Sequence, residues 1–188
     1  MTIVLRPLGI DGVVEIVPQK RGDARGYFAE IYSRESFREK GITLDWVQDN
    51  QSLSVEKGVL RGLHFQVAPF AQDKLIRVLR GSIFDVAVDI RKSSTTFGQW
   101  VSCIISAKAF NQLLVPKGFA HGFLTLEAET EVLYKVSAPY SPACDRGIFY
   151  ADPALGIAWP LSDSGPILSE KDSKSPILAD IISDISFA

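Results

Sequence analysis

Ser82-Ile83-Phe84-Asp85-Val86-Ala87-Val88-Asp89-Ile90 is the stretch that decides the fold. Side chains alternate between the two faces of an extended strand. Phe84, Val86, Val88 and Ile90 therefore share one face, and Ile83, Asp85, Ala87 and Asp89 share the other. One face is wholly apolar and the other carries two carboxylates. That pattern predicts a sheet with a core side and a polar side, and in a barrel the polar side can line an inner pocket.

Outward from this strand, short alternating runs recur between turn residues. The predicted strands are Val13–Val17, Tyr27–Tyr32, Trp46–Leu53, Val59–Gln66, Lys74–Leu79, Ser82–Ile90, Gln99–Ile105, Gln112–Val115, Gly122–Leu126 and Glu131–Val136. Gly81 separates two of them and Pro116-Lys117-Gly118 two more, as turn chemistry requires. Many short strands at close spacing predict a sandwich or barrel. Helix is scarce. Ser33–Lys40 reads as a short one, capped by Ser33 and stopped by Gly41, and Ser169-Glu170-Lys171-Asp172 reads as a second helix start with Ser169 as its cap. The apolar tail 181–188 is expected to pack against a partner that the pattern does not name.

At 188 residues the chain is read as one domain, 1–188, long enough for a real core. Hydrophobic residues make up 46%, charged residues 22%, and the net charge is −2, which gives no basic footprint for nucleic acid or an anionic membrane. No apolar run approaches the ~20 residues of a membrane span, and the N-terminus does not read as a secretory signal. Cys103 and Cys144 do not form a C-x-x-C pair, so neither a disulfide framework nor a thiolate zinc site is expected, and the cytoplasm is the expected compartment.

The chain has two histidines, His64 in Leu60-Arg61-Gly62-Leu63-His64-Phe65-Gln66 and His121 in Lys117-Gly118-Phe119-Ala120-His121-Gly122-Phe123. Strict alternation puts His64 and Arg61 on opposite faces, but a bulge at Gly62 would bring them to one side. Two distant histidines without an H-x-H spacing argue against a metal centre and favour proton transfer or hydrogen bonding. Taken alone, each is also read as a hydrogen-bonded strand residue. Neither G-x-G-x-x-G nor G-x-x-x-x-G-K-[ST] occurs. Arg21 and Arg25, among turn glycines Gly22 and Gly26, could present charge to a phosphate or form a solvated loop.

Nine ordered segments make the chain similar to the dTDP-4-dehydrorhamnose 3,5-epimerase family. They are Arg25-Gly26-Tyr27-Phe28, Val47-Gln48-Asp49-Asn50, Leu60–Gln66, Lys74–Val78, Phe84–Arg91, Thr96–Trp100, Pro116–Phe123, Leu133-Tyr134-Lys135 and Leu168–Asp172. The resemblance implies an all-β, cupin-like jelly roll or β-barrel of antiparallel strands with a few short helices. It also implies a homodimer and a dTDP-4-keto-6-deoxy sugar substrate. Both stereocentres beside its ketone would be inverted without metal or redox cofactor, on the route to dTDP-L-rhamnose. Carried over position by position, His64 is the base, Asp172 its orienting carboxylate, Tyr134 the acid on the other face of the sugar, and Lys74 the cation near the keto oxygen. Arg61 and His121 are further pocket residues. Arg25, Glu30, Gln48, Asn50 and Lys171 are nucleotide-sugar contacts, with Arg25 and Glu30 reaching a partner's pocket.

The chemistry is coherent. A ketone acidifies the hydrogens on both neighbouring carbons, and a cation aimed at its oxygen stabilises the enolate. An imidazole, with an unperturbed pKa of ~6.5, suits a base, and a phenol, at ~10, keeps a proton to give back. Two positions depart from the family pattern. Pro139 precedes Tyr140 where an aromatic is common, and Asp145 replaces a longer Glu at the nucleotide end. The alternatives they leave are an epimerase of one carbon and a non-catalytic sugar-nucleotide-binding barrel. A ketone-moving isomerase on the same barrel is disfavoured by the joint presence of His64 and Tyr134.

Overall fold

The structure, a computed structural model, describes residues 3–187. The decisive strand is β8 (Ser82–Asp89). It sits in a five-stranded sheet of order β13-β6-β11-β8-β9, whose other members are β6 (Leu60–Gln66), β9 (Trp100–Ser106), β11 (Phe119–Thr125) and β13 (Asp145–Gly147). A six-stranded sheet of order β1-β2-β10-β7-β12-β5 is built from β1 (Ile3–Pro7), β2 (Val14–Pro18), β5 (Gln48–Ser54), β7 (Lys74–Arg80), β10 (Gln112–Val115) and β12 (Thr130–Val136). A small hairpin pairs β3 (Arg21–Asp23) with β4 (Gly26–Phe28). Every strand pairing is antiparallel, giving the expected all-β, cupin-like fold.

The sheets face each other across a core of Ile76, Val78, Ile83, Ala87, Leu113, Val115, Phe119, Phe123 and Val132. Ile83 and Ala87 are the inward residues of β8, so Asp85 between them also points inward. The wholly apolar face, Phe84, Val86, Val88 and Ile90, is instead the outer one, and it is covered. Leu178, Ile181, Ile185 and Phe187 lie over it with Leu63, Phe65 and Ile148, the two phenylalanine rings 65 and 187 meeting at 6.5 Å. The expected core-side and polar-side division thus becomes two buried faces, and the C-terminal tail finds its partner; Ala188 lies outside the described residues. Burying each large aliphatic of that tail contributes about 1.5–3 kcal/mol.

The helices are as short as expected. In α1 (Arg34–Arg38) the Ser33 side chain accepts from Ser36 N–H, and in α2 (Glu170–Ser173) Ser169 does the same for Asp172 N–H. A third, α3 (Leu178–Ile181), has no side-chain cap. Among the described residues no helix is long and apolar enough to cross a membrane. The predicted strand Tyr27–Tyr32 is shorter than expected: only Gly26–Phe28 pair, and the chain then runs irregularly until Tyr32 packs on Phe37 and Trp46 over the outer face of the six-stranded sheet. Strand β1 was not foreseen; it lies on the sheet edge and ends in Pro7, which has no N–H to pair.

Candidate active site

At one end the inward faces turn polar and enclose a cavity of about 510 Å³. Inward parity brings Lys74 from β7, Tyr134 from β12 and Gln48 and Asn50 from β5 to one wall. Arg61 and His64 of β6 and His121 of β11 form the facing wall, and Asp145, Lys171 and Asp172 close the side.

The sequence reading of Gly62 proves correct. His121 pairs with His64 but Phe123 pairs with Arg61, so β6 carries one extra residue between them. This bulge turns Arg61 and His64 to the same cavity. Only glycine fits there: φ of Gly62 is +130°, and an added Cβ would lie 2.5 Å from the Cα of Gly122.

His64 Nε2 donates to Asp172 Oδ1 at 2.5 Å, across 108 residues of sequence. A carboxylate only accepts, so a neutral ring with its proton on Nε2 presents Nδ1 as the basic nitrogen. Burial raises the Asp172 carboxyl, but its bonds to His64, Ser169 and the Gly62 N–H outweigh this and hold it below the usual range. On the neighbouring strand, His121 Nε2 lies 2.8 and 2.9 Å from the two oxygens of Asp85, which is fully buried behind the wall.

Lys74 is buried, donates to His64 O at 3.0 Å, and is pushed down to about 8, chiefly by burial, against the pull of Asp85 and Asp145. Burial also raises the Tyr134 hydroxyl, so it holds its proton. Arg61 donates to Ser54 Oγ at 3.3 Å and Leu53 O at 3.2 Å, which aims it along the cavity rim.

At the mouth, Tyr140 donates to Asp145 Oδ2 at 3.0 Å, Lys171 pairs with the same oxygen, and Gln48 accepts from Tyr140 N–H while donating to Asn50. Gln66, quoted in the motif but not assigned a role, accepts from Ser141 N–H at 2.7 Å and donates to Pro139 O at 3.1 Å, so it positions the Tyr140 loop. Asp85 was likewise unassigned, although its inward parity was legible.

Arg25 and Glu30 do not line this cavity. Arg25 projects from the β3–β4 hairpin, 90% exposed and paired with Asp23, and Glu30 accepts from Ser36 Oγ at 2.8 Å. Among the described residues no three His, Cys, Asp or Glu side chains cluster as metal ligands.

Residues 7–180 match the family described as dTDP-4-dehydrorhamnose 3,5-epimerase. The dTDP-4-dehydrorhamnose 3,5-epimerase of Sinorhizobium fredii is 52% identical over 174 residues, 93% of this chain and 89% of that one. The crystal structure of dTDP-6-deoxy-D-glucose-3,5-epimerase from Legionella pneumophila in complex with dTDP-4-keto-L-rhamnose is 43% identical, with a TM-score of 0.94 over 100% of this chain and 99% of that one. A 3′-monoepimerase from Streptomyces bikiniensis in complex with dTDP-quinovose is 36% identical, with a TM-score of 0.86 over 93% and 88% of the two chains. The cavity with its two His–carboxylate pairs, buried lysine and half-buried tyrosine therefore lies in a chain that belongs to the dTDP-4-dehydrorhamnose 3,5-epimerase family.

Proposed function

We propose that the chain, acting as one domain, epimerises dTDP-4-keto-6-deoxy-D-glucose at C3 and C5 to dTDP-4-keto-L-rhamnose. The observation that carries this is the opposition of His64 and Tyr134 on facing sheets across one cavity, with Lys74 reaching His64 O from the strand beside that of Tyr134. His64 takes the proton from the carbon next to the ketone, and the C–H electrons move onto the C4 oxygen as an enolate. The Lys74 ammonium, itself buried, stabilises that oxygen where its charge develops. Tyr134 then gives its proton to the opposite face of the same carbon, which inverts it. Exchange of the imidazolium proton and the tyrosinate with solvent restores both groups for the second centre. No hydride moves, so the residues alone balance the reaction.

Gln48, Asn50, Tyr140, Asp145 and Lys171 hold the nucleotide end at the mouth, where Lys171 offers a charge to the diphosphate. Arg25 and Glu30 serve the pocket of a second copy in a homodimer; their place on the outside of their own cavity supports this. The free thiols of Cys103 and Cys144 fit a reducing, cytoplasmic setting.

The test is product formation from dTDP-4-keto-6-deoxy-D-glucose, trapped by a reductase specific for the L-configured ketone. Reductase-coupled turnover is expected; its absence with substrate bound would reject the reading. A second reading, inversion at one carbon, is favoured by Pro139 beside Tyr140 and by the likeness to the 3′-monoepimerase. It predicts a product epimeric at C3 alone.

A further inference from the structure

We infer that Asp85 is a positioning residue for the enolate step: it fixes the tautomer of His121 and supplies the counter-charge that keeps Lys74 cationic in the cavity. The inference rests on the proposed epimerase reading for its kinetic consequences, but its structural basis is independent. Asp85 is fully buried on β8, between the apolar residues Ile83 and Ala87 of the inner core. A carboxylate there is costly unless its oxygens are occupied. Both oxygens lie within hydrogen-bond distance of one nitrogen, His121 Nε2. The bond orders His121 with its proton on Nε2, so in the neutral ring Nδ1 becomes the acceptor.

The second partner is electrostatic. Lys74 reaches across from the facing sheet to donate to His64 O at 3.0 Å, and His64 is the cross-strand partner of His121, which holds Asp85, so the ammonium lies beside this pair. Asp85 of β8 and Asp145 of β13 act on it as favourable charges and Lys171 of α2 as an opposing one. His64, His121, Arg61, Tyr134, Tyr140 and Asp172 complete the titratable groups that line the cavity. Asp145 is already engaged by Tyr140 and Lys171, and Asp172 by His64. Asp85 is engaged too, by His121, but it has no ammonium or guanidinium bonded to it, and it acts on Lys74 more strongly than Asp145 does. Burial raises the Asp85 carboxyl above the usual carboxylate range, and His121 and Lys74 pull against that rise.

The test compares wild type with Asp85→Asn, which keeps shape and removes charge. We expect kcat to fall at least about tenfold with KM for the dTDP-sugar little changed, because the nucleotide end is held elsewhere. The alkaline limb of the kcat profile is expected to move to lower pH, since without Asp85 the Lys74 ammonium loses its proton sooner. An unmoved limb at a normal thermal midpoint would overturn the inference. Two further measurements do not depend on turnover. Nitrogen NMR of wild-type His121 should find the proton on Nε2; a bare Nε2 would refute the arrangement even if the variant fails to fold. Direct titration of the Lys74 amine in wild type and variant separates this inference from the substrate reading: a lower value in the variant supports it, and equal values reject it even if the wild type proves inactive on the proposed sugar.

Discussion

Two His–carboxylate pairs stand side by side, since His64 and His121 are cross-strand partners on β6 and β11, yet they are built for different work. The His64 side chain is 32% exposed and its carboxylate, Asp172, comes from a helix far along the chain. The His121 side chain is 9% exposed and its carboxylate, Asp85, is 0% exposed on the adjacent strand. A base must reach substrate and exchange its proton with solvent between turnovers, and the half-open pair does both. A closed pair cannot exchange so readily, but in its drier setting its charge acts more strongly on neighbours. One geometry, placed at two depths, thus separates proton transfer from electrostatic support.

The comparison is broken most severely by His64→Ala, which should lower kcat by about 10²–10⁴-fold while dTDP binding persists. His121→Ala should cost less, about 10–10²-fold, because it removes a supporting group. Steady-state kinetics on both variants would contradict the division of labour if the order were reversed. Asp172→Asn should follow at about 10²-fold or more, by presenting the wrong tautomer of His64. The pH-rate profile checks the same carboxylate. Held below the usual range, Asp172 stays ionised at neutral pH and should lose its effect only in strong acid.

Lys74→Met sharpens the electrostatic half. It should abolish most turnover yet raise stability by about 1–3 kcal/mol, as a buried charge is removed. The sign follows from linkage. The folded pKa of about 8 lies below the unfolded 10.5, so burial costs most below pH 8 and the cost fades as pH rises toward 10.5. The stability gain of the variant, read by denaturant unfolding, should shrink over that window. In the wild type, kcat should fall as pH passes about 8 and Lys74 loses its charge. The effect of Gly62→Ala falls on the fold rather than the chemistry. The clash with the Gly122 backbone and the left-handed φ should cost about 2–4 kcal/mol, measured as a lowered thermal midpoint.

The strands that build the cavity were legible because alternation is local. Lys74–Leu79, Ser82–Ile90 and Glu131–Val136 were read within a residue or so of their ends. The Gly62 bulge was legible from a glycine in an otherwise regular strand. What alternation could not reveal is which face meets what. The apolar face of β8 lies under residues about 90 positions later, and nothing in a nine-residue window carries that. The same limit hid the β3–β4 hairpin, whose short exposed strands lack a hydrophobic face, and β13, three residues long. In the site, the His64–Asp172 pairing spans 108 residues, so resemblance and not spacing suggested it. Asp85 stood in view as an acid of inward parity, but its partner lay 36 residues away on another strand.

The most direct measurement is solvent exchange followed by NMR on dTDP-4-keto-6-deoxy-D-glucose in D₂O, with wild type and Tyr134→Phe in parallel. Wild type should place deuterium at both C3 and C5 of an inverted product, while Tyr134→Phe should invert far more slowly because the acid is gone. Substrate that binds yet gains no deuterium at either carbon would contradict proton abstraction by His64, and with it the central claim.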